Sequence, residues 1–425
     1  MSQDDATRRT LEAVWRMESA KIIATVARMV RDVGLAEELA QDALVSALEQ
    51  WTSEGVPDNP AAWLTAVAKR RALDRLRHLQ LAEHKAGEIG REFDAQHDIA
   101  QSELAYAVDA ALDDDIGDDL LRLVFTACHP VLSTEARVAL TLRVMGGLAT
   151  DEIARAFLVP EATVAQRIVR AKRTLAEARV PFEVPRRAEF ESRLASVLEV
   201  LYLIFNEGYA ATAGDDWMRP ALCEEALRLG RIVAELMPAA SEVHGLVALM
   251  EIQASRTAAR VGPSGEPVLL LEQNRARWDH VLIRRGLAAL ARAEALGGAL
   301  GPYALQAAIA ACHARARTAE QTDWGRIAAL YDALAQLAPS PIVELNRAVA
   351  LSMAFGPAAG LEVADALLAE PALQGYHLLP TVRGDLLFKL GRLDEARREF
   401  ERAAGLTRNG REKALLAARA RACLG

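Results

Sequence analysis

The apolar residues of this chain recur at helical spacing, and residues 149–175 show the pattern most clearly. Ile153, Ala154 and Phe157 form one apolar stripe in this stretch. A second stripe consists of Val164, Ile168, Ala171 and Leu175. Apolar positions three or four residues apart form the buried face of a helix. The stretch therefore predicts two short helices joined by a tight turn, with Pro160 in the first turn of the second helix.

The opposite face of the second helix is polar and cationic. Its residues are Thr163, Gln166, Arg167, Arg170 and Arg173. A helix of this size can enter the major groove of DNA, where such side chains reach base edges and phosphates. The pattern therefore favours a helix-turn-helix that reads DNA. An isolated basic helix is more often a solvated surface, so this interpretation depends on what the rest of the chain contains.

Residues 7–79 form a helical unit in which a new helix starts after Gly34. The apolar residues Leu39, Ala43 and Ala47 are spaced to face a core. The outside of that helix is then left to the polar residues Glu37, Glu38, Gln41 and Asp42. A polar loop over residues 51–60 contains Gly and Pro, which end this helix and start the next one.

The next helix, over residues 61–78, is strongly basic. Its apolar face consists of Trp63, Val67, Ala68 and Leu73. Its cations are Lys69, Arg70, Arg71, Arg75 and Arg77, against the single acid Asp74. This density of positive charge is typical of a phosphate-binding surface, although a solvated basic face explains it equally well. Apolar spacing favours core positions for Trp51 and Trp63, and the alternative for Trp51 is stacking on a nucleic-acid base.

Beyond this unit the pattern divides the chain further. Residues 80–118 lose apolar periodicity and contain a run of Asp residues, so we expect a linker there. Residues 119–180 form a second compact unit that includes the helix-turn-helix, and the prolines at 181 and 185 mark the next boundary. Residues 186–425 show a weak internal repeat near the ~34-residue tetratricopeptide period. That repeat predicts an array of helical hairpins with a concave surface.

Composition agrees with an all-α protein in a reducing compartment. The chain has 425 residues, of which 52% are hydrophobic and 25% charged, and a formal net charge of −8. Its four cysteines lie far apart and form no Cys-x-x-Cys pair, which indicates neither a zinc site nor a disulfide framework. The sequence shows no signal peptide and no membrane-spanning segment. We therefore expect a cytoplasmic protein with no metal and no cofactor.

The order of these elements resembles the extracytoplasmic-function (ECF) sigma factors of bacterial RNA polymerase. Residues 7–79 resemble their sigma region 2 bundle, and residues 119–180 resemble their sigma region 4 helix-turn-helix. The remainder resembles a subgroup with a tetratricopeptide-like C-terminal extension, whose signatures match residues 118–133 and 203–209. The resemblance covers nearly the whole chain. It implies an all-α specificity subunit that directs transcription initiation and catalyses no reaction itself.

The resemblance also implies three binding surfaces. The helix that docks on the clamp helices of the largest polymerase subunit is matched by Asp32, Glu37, Glu38, Leu39, Gln41 and Asp42. The part that opens and reads the −10 element is matched by Asn59, Lys69, Arg70, Arg71, Arg75 and Arg77. The helix that reads the −35 element is matched by Thr163, Gln166, Arg167, Arg170, Lys172 and Arg173.

The partners that the resemblance implies are core RNA polymerase, through its clamp helices and flap, and promoter DNA. The C-terminal extension is expected to regulate activity, either by folding over the DNA-binding units or by holding a protein partner. A helical array of this size fused to a sufficient pair of sigma regions needs a task of its own, and concave arrays bind proteins or peptides.

Three positions depart from the family pattern. Ala149 stands where the first helix of the helix-turn-helix usually has a capping Ser or Thr. Glu152 then lacks its capping-box partner, unless Thr150 caps one residue later. Residues 165–166 are Ala-Gln where many relatives have Lys-Ser, and residues 69–71 are Lys-Arg-Arg in place of a common Ala-Arg-Asn. The last two departures leave the preferred promoter sequence open.

Two other functions fit parts of the pattern. The first is an operator-binding regulator that senses a ligand or partner through the helical array, but it would need neither the acidic helix at 32–44 nor the loop at 51–60. The second is an enzyme in the C-terminal part. The histidines, which include His129 and His313, form no His-x-x-x-His pair, and structural roles are favoured for them. Residues 206–209 and Asp279 fit either a small-molecule pocket or helix caps and turns, and the second is favoured.

Overall fold

The computed structural model describes residues 3–87, 116–157, 159–210, 218–263 and 266–424. Within these ranges the chain is helical and has no strand, apart from isolated bridge residues at Val261, Pro267 and Asn409. The all-α prediction is confirmed. The chain divides into two compact units, Met1–Val200 and Leu201–Gly425.

The helices of the first unit are α1 (Gln3–Val30), α2 (Val33–Glu54), α3 (Pro60–Gly87), α4 (Ile116–Ala127), α5 (Thr134–Val144), α6 (Thr150–Phe157) and α7 (Glu161–Glu177). Helix α8 (Arg187–Tyr209) begins in this unit and ends in the second. Part of the predicted linker is therefore helical, because α3 continues to Gly87 and α4 begins at Ile116. The remainder of the linker lies outside the described residues.

Helices α1, α2 and α3 pack against one another as a bundle. The carboxylate of Asp32 caps α2 by accepting a hydrogen bond from the Leu35 N–H at 3.0 Å. The side-chain oxygen of Asn59 does the same for α3, where the Ala62 N–H donates to it at 3.1 Å. Both side chains satisfy backbone donors that the first turn of a helix leaves unpaired.

The two tryptophans fasten α2 to α3 beside the connecting loop. Trp51 is 2% exposed, as predicted for a core residue, and Trp63 is half-buried. Their ring centroids lie 5.5 Å apart with the planes nearly perpendicular, which is a favourable geometry for two aromatic rings. The loop between the helices is thus held at both ends by packed side chains.

Helices α6 and α7 form the predicted helix-turn-helix and pack against each other, while α5 also packs on α7. The apolar stripe of α7 is buried at every predicted position, Val164, Ile168, Ala171 and Leu175. In α6, Ile153 and Ala154 are buried and Phe157 is half-buried. Pro160 immediately precedes α7, one residue before the place that the sequence predicted for it.

The start of α6 corrects the expectation that Glu152 lacks a capping partner. Its Oε2 accepts a hydrogen bond from the Ala149 N–H at 2.8 Å, which is one half of a capping box. The other half is absent because the Ala149 side chain has no acceptor. The helix start therefore depends on Glu152 alone for this type of contact.

The first part of α8 packs on the first unit. Arg193 donates to the Phe125 carbonyl at 2.9 Å, and the Ser196 hydroxyl donates to the Cys128 carbonyl at 2.6 Å. Glu199 forms an ion pair with Arg137 at 2.9 Å. The compact first unit therefore extends to Val200, past the prolines that the sequence suggested as its end.

The second unit continues with α9 (Pro220–Leu236), α10 (Ser241–Ala254), α11 (His280–Ala295), α12 (Pro302–Arg315), α13 (Trp324–Leu337), α14 (Pro341–Phe355), α15 (Pro357–Ala366), α16 (Leu378–Lys389), α17 (Leu393–Leu406) and α18 (Gly410–Ala422). Helices that follow each other in the chain pack against each other. Their apolar faces form several local cores, one of which centres on Phe400. Stacked helical hairpins have this organisation. The tetratricopeptide assignment itself stays a prediction.

No helix in the described part of the chain combines the length and the apolar character needed to cross a membrane.

Gly147, in the turn between α5 and α6, provides a test of this packing. Its φ is +66°, and a Cβ at this position would lie 2.7 Å from the Ser19 Oγ of α1. We expect Gly147→Ala to lower the free energy of unfolding by about 1–3 kcal/mol, through backbone strain and this close contact. Urea unfolding followed by circular dichroism measures the loss.

The matched control is Ser19→Ala, because the buried Ser19 hydroxyl oxygen has no hydrogen-bond partner within the described chain. We expect this substitution to be nearly neutral alone and to recover part of the loss in the double variant. If Gly147→Ala were equally destabilising in both backgrounds, the contact with Ser19 would not contribute.

Candidate nucleic-acid interface

The solvent-facing side of α7 presents the polar groups that the sequence predicted. Gln166, Arg170 and Arg173 are exposed, and Thr163 and Arg167 are half-buried. Arg173 forms an ion pair with Glu177 at 3.4 Å, which solvent screens because both side chains are about 70% exposed. The side chains of Gln166 and Arg170 have no partner among the described residues. This face can therefore offer amide and guanidinium donors to base edges and phosphates.

Lys172 differs from the other residues predicted to contact the −35 element. Its side chain is only 16% exposed, and its ammonium forms an ion pair with the carboxylate of Glu37 on α2. The physical reason is the helical period, because Lys172 follows the buried Ala171 and points towards α2 rather than towards solvent. In this arrangement Lys172 is not available to DNA.

Glu37 corrects a second expectation, that its side chain faces the outside of α2. The residue is 3% exposed. Its carboxylate accepts from the Arg143 Nε of α5 at 2.8 Å, from the ammonium of Lys172 and from the amide of Gln41. A carboxylate removed from water needs such partners, since an unpaired buried charge is strongly unfavourable. The helical period of α2 predicted exposure, but α5 and α7 cover this position.

The other residues predicted to dock on polymerase are distributed as follows. Glu38 and Asp42 are exposed, and Gln41 is half-buried beside Glu37. Leu39 is 8% exposed and belongs to the bundle core. Asp32 is the cap of α2 described above. The exposed acidic surface of α2 is therefore smaller than predicted and centres on Glu38 and Asp42.

The basic helix α3 keeps part of its predicted surface. Arg70 and Arg75 are exposed and have no ion-pair partner among the described residues. Arg71 contacts α2, where it donates to the Ser46 hydroxyl at 2.7 Å and lies 3.4 Å from the Asp42 carboxylate. Of the remaining set, Lys69 is half-buried, Arg77 pairs with Asp74 at 3.5 Å and Asn59 caps the helix.

Further ion pairs join α1 to the helices of the 119–180 segment. Arg16 contacts the Glu152 carboxylate at 2.5 Å. Asp119 of α4 is fully buried and lies 2.5 Å from Arg122 and 3.6 Å from Arg28 of α1. Burial raises the pKa of Asp119, and the two guanidinium groups oppose that shift. The two predicted sigma regions are thus in direct contact through charges that range from the buried Asp119 to the exposed Arg16.

A partly open pocket of about 650 Å³ lies where the α1–α2 junction meets α4 and the end of α7. Arg31 and Arg179 line it, and both have positive φ values, 54° and 48°. Non-glycine residues adopt this conformation only when surrounding contacts compensate for the strain. An interface that consists largely of ion pairs beside an open pocket is easier to separate than a close-packed apolar one.

Cys128 and His129 lie next to each other directly after the end of α4. Burial raises the pKa of the Cys128 thiol to about 11, so this thiol is not a nucleophile at neutral pH. Burial, followed by the charge of Arg193, lowers the pKa of His129 to about 4. The His129 Nδ1 accepts from the Val131 N–H at 3.1 Å, which stabilises the turn after α4.

Three family comparisons match separate parts of the chain. Residues 14–81 match the family described as Sigma-70 region 2, and residues 122–175 match Sigma-70, region 4. Residues 193–294 match a family of unknown function, DUF6596. The two sigma matches coincide with the bundle of α1–α3 and with the helices that end in α7.

Comparison with individual proteins agrees with these matches. ECF RNA polymerase sigma factor SigK of Mycobacterium ulcerans is 30% identical over 159 residues, which are 36% of this chain and 78% of that protein. The chain belongs to the ECF RNA polymerase sigma factors. The probable ECF RNA polymerase sigma factor SigI of Mycobacterium tuberculosis is 28% identical over 184 residues, 43% of this chain and 59% of that protein. The sigma-factor assignment made from the sequence is confirmed at the level of the family.

One relative is similar to this sigma factor over nearly its whole length. Protein R00370 of Rhizobium meliloti, described as uncharacterized, is 43% identical over 389 residues, which cover 92% of this chain and 90% of that protein. The similarity therefore extends across both compact units. It does not identify the task of the second unit.

Sequence reasoning missed the residues that join the two sigma regions. No sequence pattern distinguishes Arg16, Arg143 and Arg28, because single cations on amphipathic helices are common. Their partners Glu152, Glu37 and Asp119 lie far away in sequence, so no spacing rule connects them. The sequence contained one indication of this contact. Glu37 and Lys172 carry opposite charges, and both were predicted to lie on binding surfaces.

The ion pair between Glu37 and Lys172 can be measured by a double-mutant cycle with Glu37→Gln and Lys172→Gln. Because both side chains are buried in one network, we expect a coupling energy of about 2 kcal/mol. The free energy of unfolding of each variant provides the measurement. The control pair is Asp42 and Arg71, which is largely exposed and should give less than about 1 kcal/mol. Equal coupling in the two cycles would show that burial does not strengthen the first pair.

Proposed function

We propose that the first unit of this sigma factor recruits core RNA polymerase and directs it to promoters, while catalysing no reaction itself. The main observation behind this proposal is that both α3 and α7 have exposed cations, which support two DNA contacts in one chain. A simple repressor would not need the acidic residues Glu38 and Asp42 on α2. Acids on an exposed helix face suit a basic surface of a protein partner.

The −35 contact is proposed for α7. Its exposed residues Gln166, Arg170 and Arg173 would enter the major groove, with Arg167 and Thr163 at the edge of the contact. Arginine can bind guanine through two hydrogen bonds, and glutamine can bind adenine in the same way. The half-buried members would add phosphate contacts that fix orientation.

The −10 contact is proposed for α3 and the loop before it. Arg70 and Arg75 would bind the backbone of the strand that is opened. Opening requires a base to leave the stack, and backbone contacts support the separated strand. Because Asn59 already caps α3, we assign base reading to the neighbouring backbone rather than to its side-chain oxygen.

An opening step is part of this proposal. Glu37 and Lys172 form an ion pair with each other. Glu37 belongs to the surface proposed to bind polymerase, and Lys172 belongs to the surface proposed to bind the −35 element. Core polymerase or promoter DNA would therefore have to separate α7 from α2 before both surfaces engage. A ligand shifts such an equilibrium only by its difference in affinity for the two states. The buried charges exposed by opening would be satisfied by polymerase and by DNA phosphates.

The second unit is proposed to regulate this step, through its concave helical face or a bound partner. The domain limits that follow are a sigma pair formed by residues 7–79 and 119–180 and a regulatory extension after them. The stacked helices of the second unit and the similarity to R00370 across both units support this proposal.

Run-off transcription with purified core polymerase tests the main proposal. We expect promoter-dependent transcripts with the full-length chain, and a loss of at least tenfold in promoter affinity for Arg167→Ala combined with Arg170→Ala, because two contacts worth about 1–3 kcal/mol each are removed. The control is Arg155→Ala, an exposed arginine of α6 that pairs with Asp151. If no promoter-dependent transcript formed across suitable templates, the chain would act instead as a DNA-binding regulator without polymerase.

Truncation tests the regulatory proposal. A chain that ends at Ala210 keeps all of α8 and its contacts with Phe125 and Cys128, so we expect a folded first unit with altered transcriptional activity per mole. A chain that ends at Val180 loses those contacts and should unfold at lower urea concentration. Unchanged activity of the Ala210 chain, relative to the full-length chain, would remove the regulatory role.

A further inference from the structure

Three arginines lie close together in the interior of the second unit. Arg256 and Arg260 are each 7% exposed, and Arg275 is half-buried. Burial lowers the pKa of Arg275, and the positive charge of Arg256 lowers it further. Burial also lowers the pKa of Arg260, and the charge of Arg256 adds to that shift. Positive groups gathered away from water are unfavourable unless an opposite charge accompanies them.

Arg260 and Arg275 contact aromatic rings and backbone carbonyls. The Arg260 guanidinium lies 3.5 Å from the centre of the Tyr209 ring and donates to the Tyr209 carbonyl. The Arg275 guanidinium lies 4.6 Å from the centre of the Trp278 ring and donates to the carbonyls of His313 and Ala316 at 2.5 and 2.8 Å. Aromatic faces and carbonyl oxygens orient these side chains, and the exposed carboxylate of Glu320 raises the pKa of Arg275.

Arg256 has even fewer partners. Its guanidinium lies 5.8 Å from the centre of the Tyr209 ring and 5.9 Å from that of Trp278. Among the described residues its side chain has no hydrogen bond and no ion pair, and its Nε is buried without an acceptor. A guanidinium has five N–H donors, and leaving buried donors unpaired is unfavourable. This unpaired charge in the interior is the observation that points to a ligand.

Two further unpaired ring nitrogens occur beside Arg256. The Trp278 Nε1 and the His313 Nδ1 are buried without a hydrogen-bond partner in the described chain. Burial, followed by the charges of Arg256 and Arg275, lowers the pKa of His313 to about 4. His313 is therefore neutral at neutral pH and can offer one ring N–H. Together these groups present hydrogen-bond donors and positive charge but no acid.

We propose that Arg256, Arg275, Trp278 and His313 form a binding site for an oxyanion, the phosphate or carboxylate group of a small molecule. An oxyanion accepts several N–H donors at once and neutralises guanidinium charge. Three of these residues lie within the segment that matches the family of unknown function. The site goes beyond the proposed sigma-factor function and would define the class of signal that the second unit receives. Binding of an oxyanion to this site can be measured without polymerase. The two proposals can therefore fail independently.

The test uses the full-length chain in buffers of constant ionic strength, with chloride replaced stepwise by inorganic phosphate or by acetate. We expect saturable binding by titration calorimetry and a rise in thermal midpoint with the logarithm of ligand concentration. A response to phosphate alone would indicate a phosphate-bearing ligand, and a response to acetate alone would indicate a carboxylate. Absence of saturable binding of either anion would overturn the proposal.

Arg256→Met separates a ligand site from a purely structural role. Because it removes an uncompensated charge, this variant should be at least as stable as the parent chain in buffer that contains only chloride. It should also lose at least tenfold in anion affinity and show no anion-dependent rise in midpoint. A marked loss of midpoint in chloride, with an unchanged anion response, would make Arg256 a structural residue and overturn the site.

The matched control is Arg277→Ala, which removes an exposed arginine two positions from Arg275. It should keep the anion affinity of the parent chain. The parent chain, Arg277→Ala and Arg256→Met could instead show an equal rise in thermal midpoint. Anions that are excluded from the protein surface stabilise any folded protein in this way, so that result would contradict the proposed site. If Arg256→Met does not fold, Arg275→Gln serves as the second variant, with the same tenfold loss expected.

Discussion

The buried carboxylate of Glu37 holds the first unit in the arrangement described here. It lies between Arg143 of α5 and Lys172 of α7 and so joins the region 2 bundle to the region 4 helices. Each partner depends on the others, because separating them without replacement would leave charges unpaired away from water. The arrangement is therefore stable when complete and sensitive to any molecule that provides alternative partners.

This constraint changes how the two functional surfaces relate to each other. The exposed faces of α3 and α7 are available, but the shared pair takes one residue from the proposed polymerase surface and one from the proposed −35 surface. A partly open pocket also lies at this contact, beside Arg31 and Arg179. A separable contact between two DNA-binding parts provides a physical basis for control of a sigma factor before it meets polymerase.

The sequence predicted local features well. The helical period predicted the buried stripe of α7, and the cluster of cations predicted the exposed Arg70 and Arg75 of α3. It failed where distant segments meet, as at Glu37, because periodicity describes one helix and not what packs on its outer face. The prediction that Glu152 lacks a capping partner was wrong for a different reason. Its carboxylate accepts from the Ala149 backbone N–H, and this contact does not require a hydroxyl on the side chain of residue 149. The role of Arg256 in the second unit was not predicted, because it depends on the absence of a hydrogen-bond or ion-pair partner among the described residues, which no sequence pattern reveals.

The central claim is that α7 rests on α2 in the free protein and leaves it when polymerase binds. The four native cysteines are buried, so spin labels can be placed selectively on cysteines introduced at the exposed positions Glu49 and Ala178. Pulsed electron resonance then measures the distance between the two labels. The account predicts one short distance in the free chain and a longer one with core polymerase and promoter DNA. A distance that is unchanged by polymerase, or already long in the free chain, would contradict it.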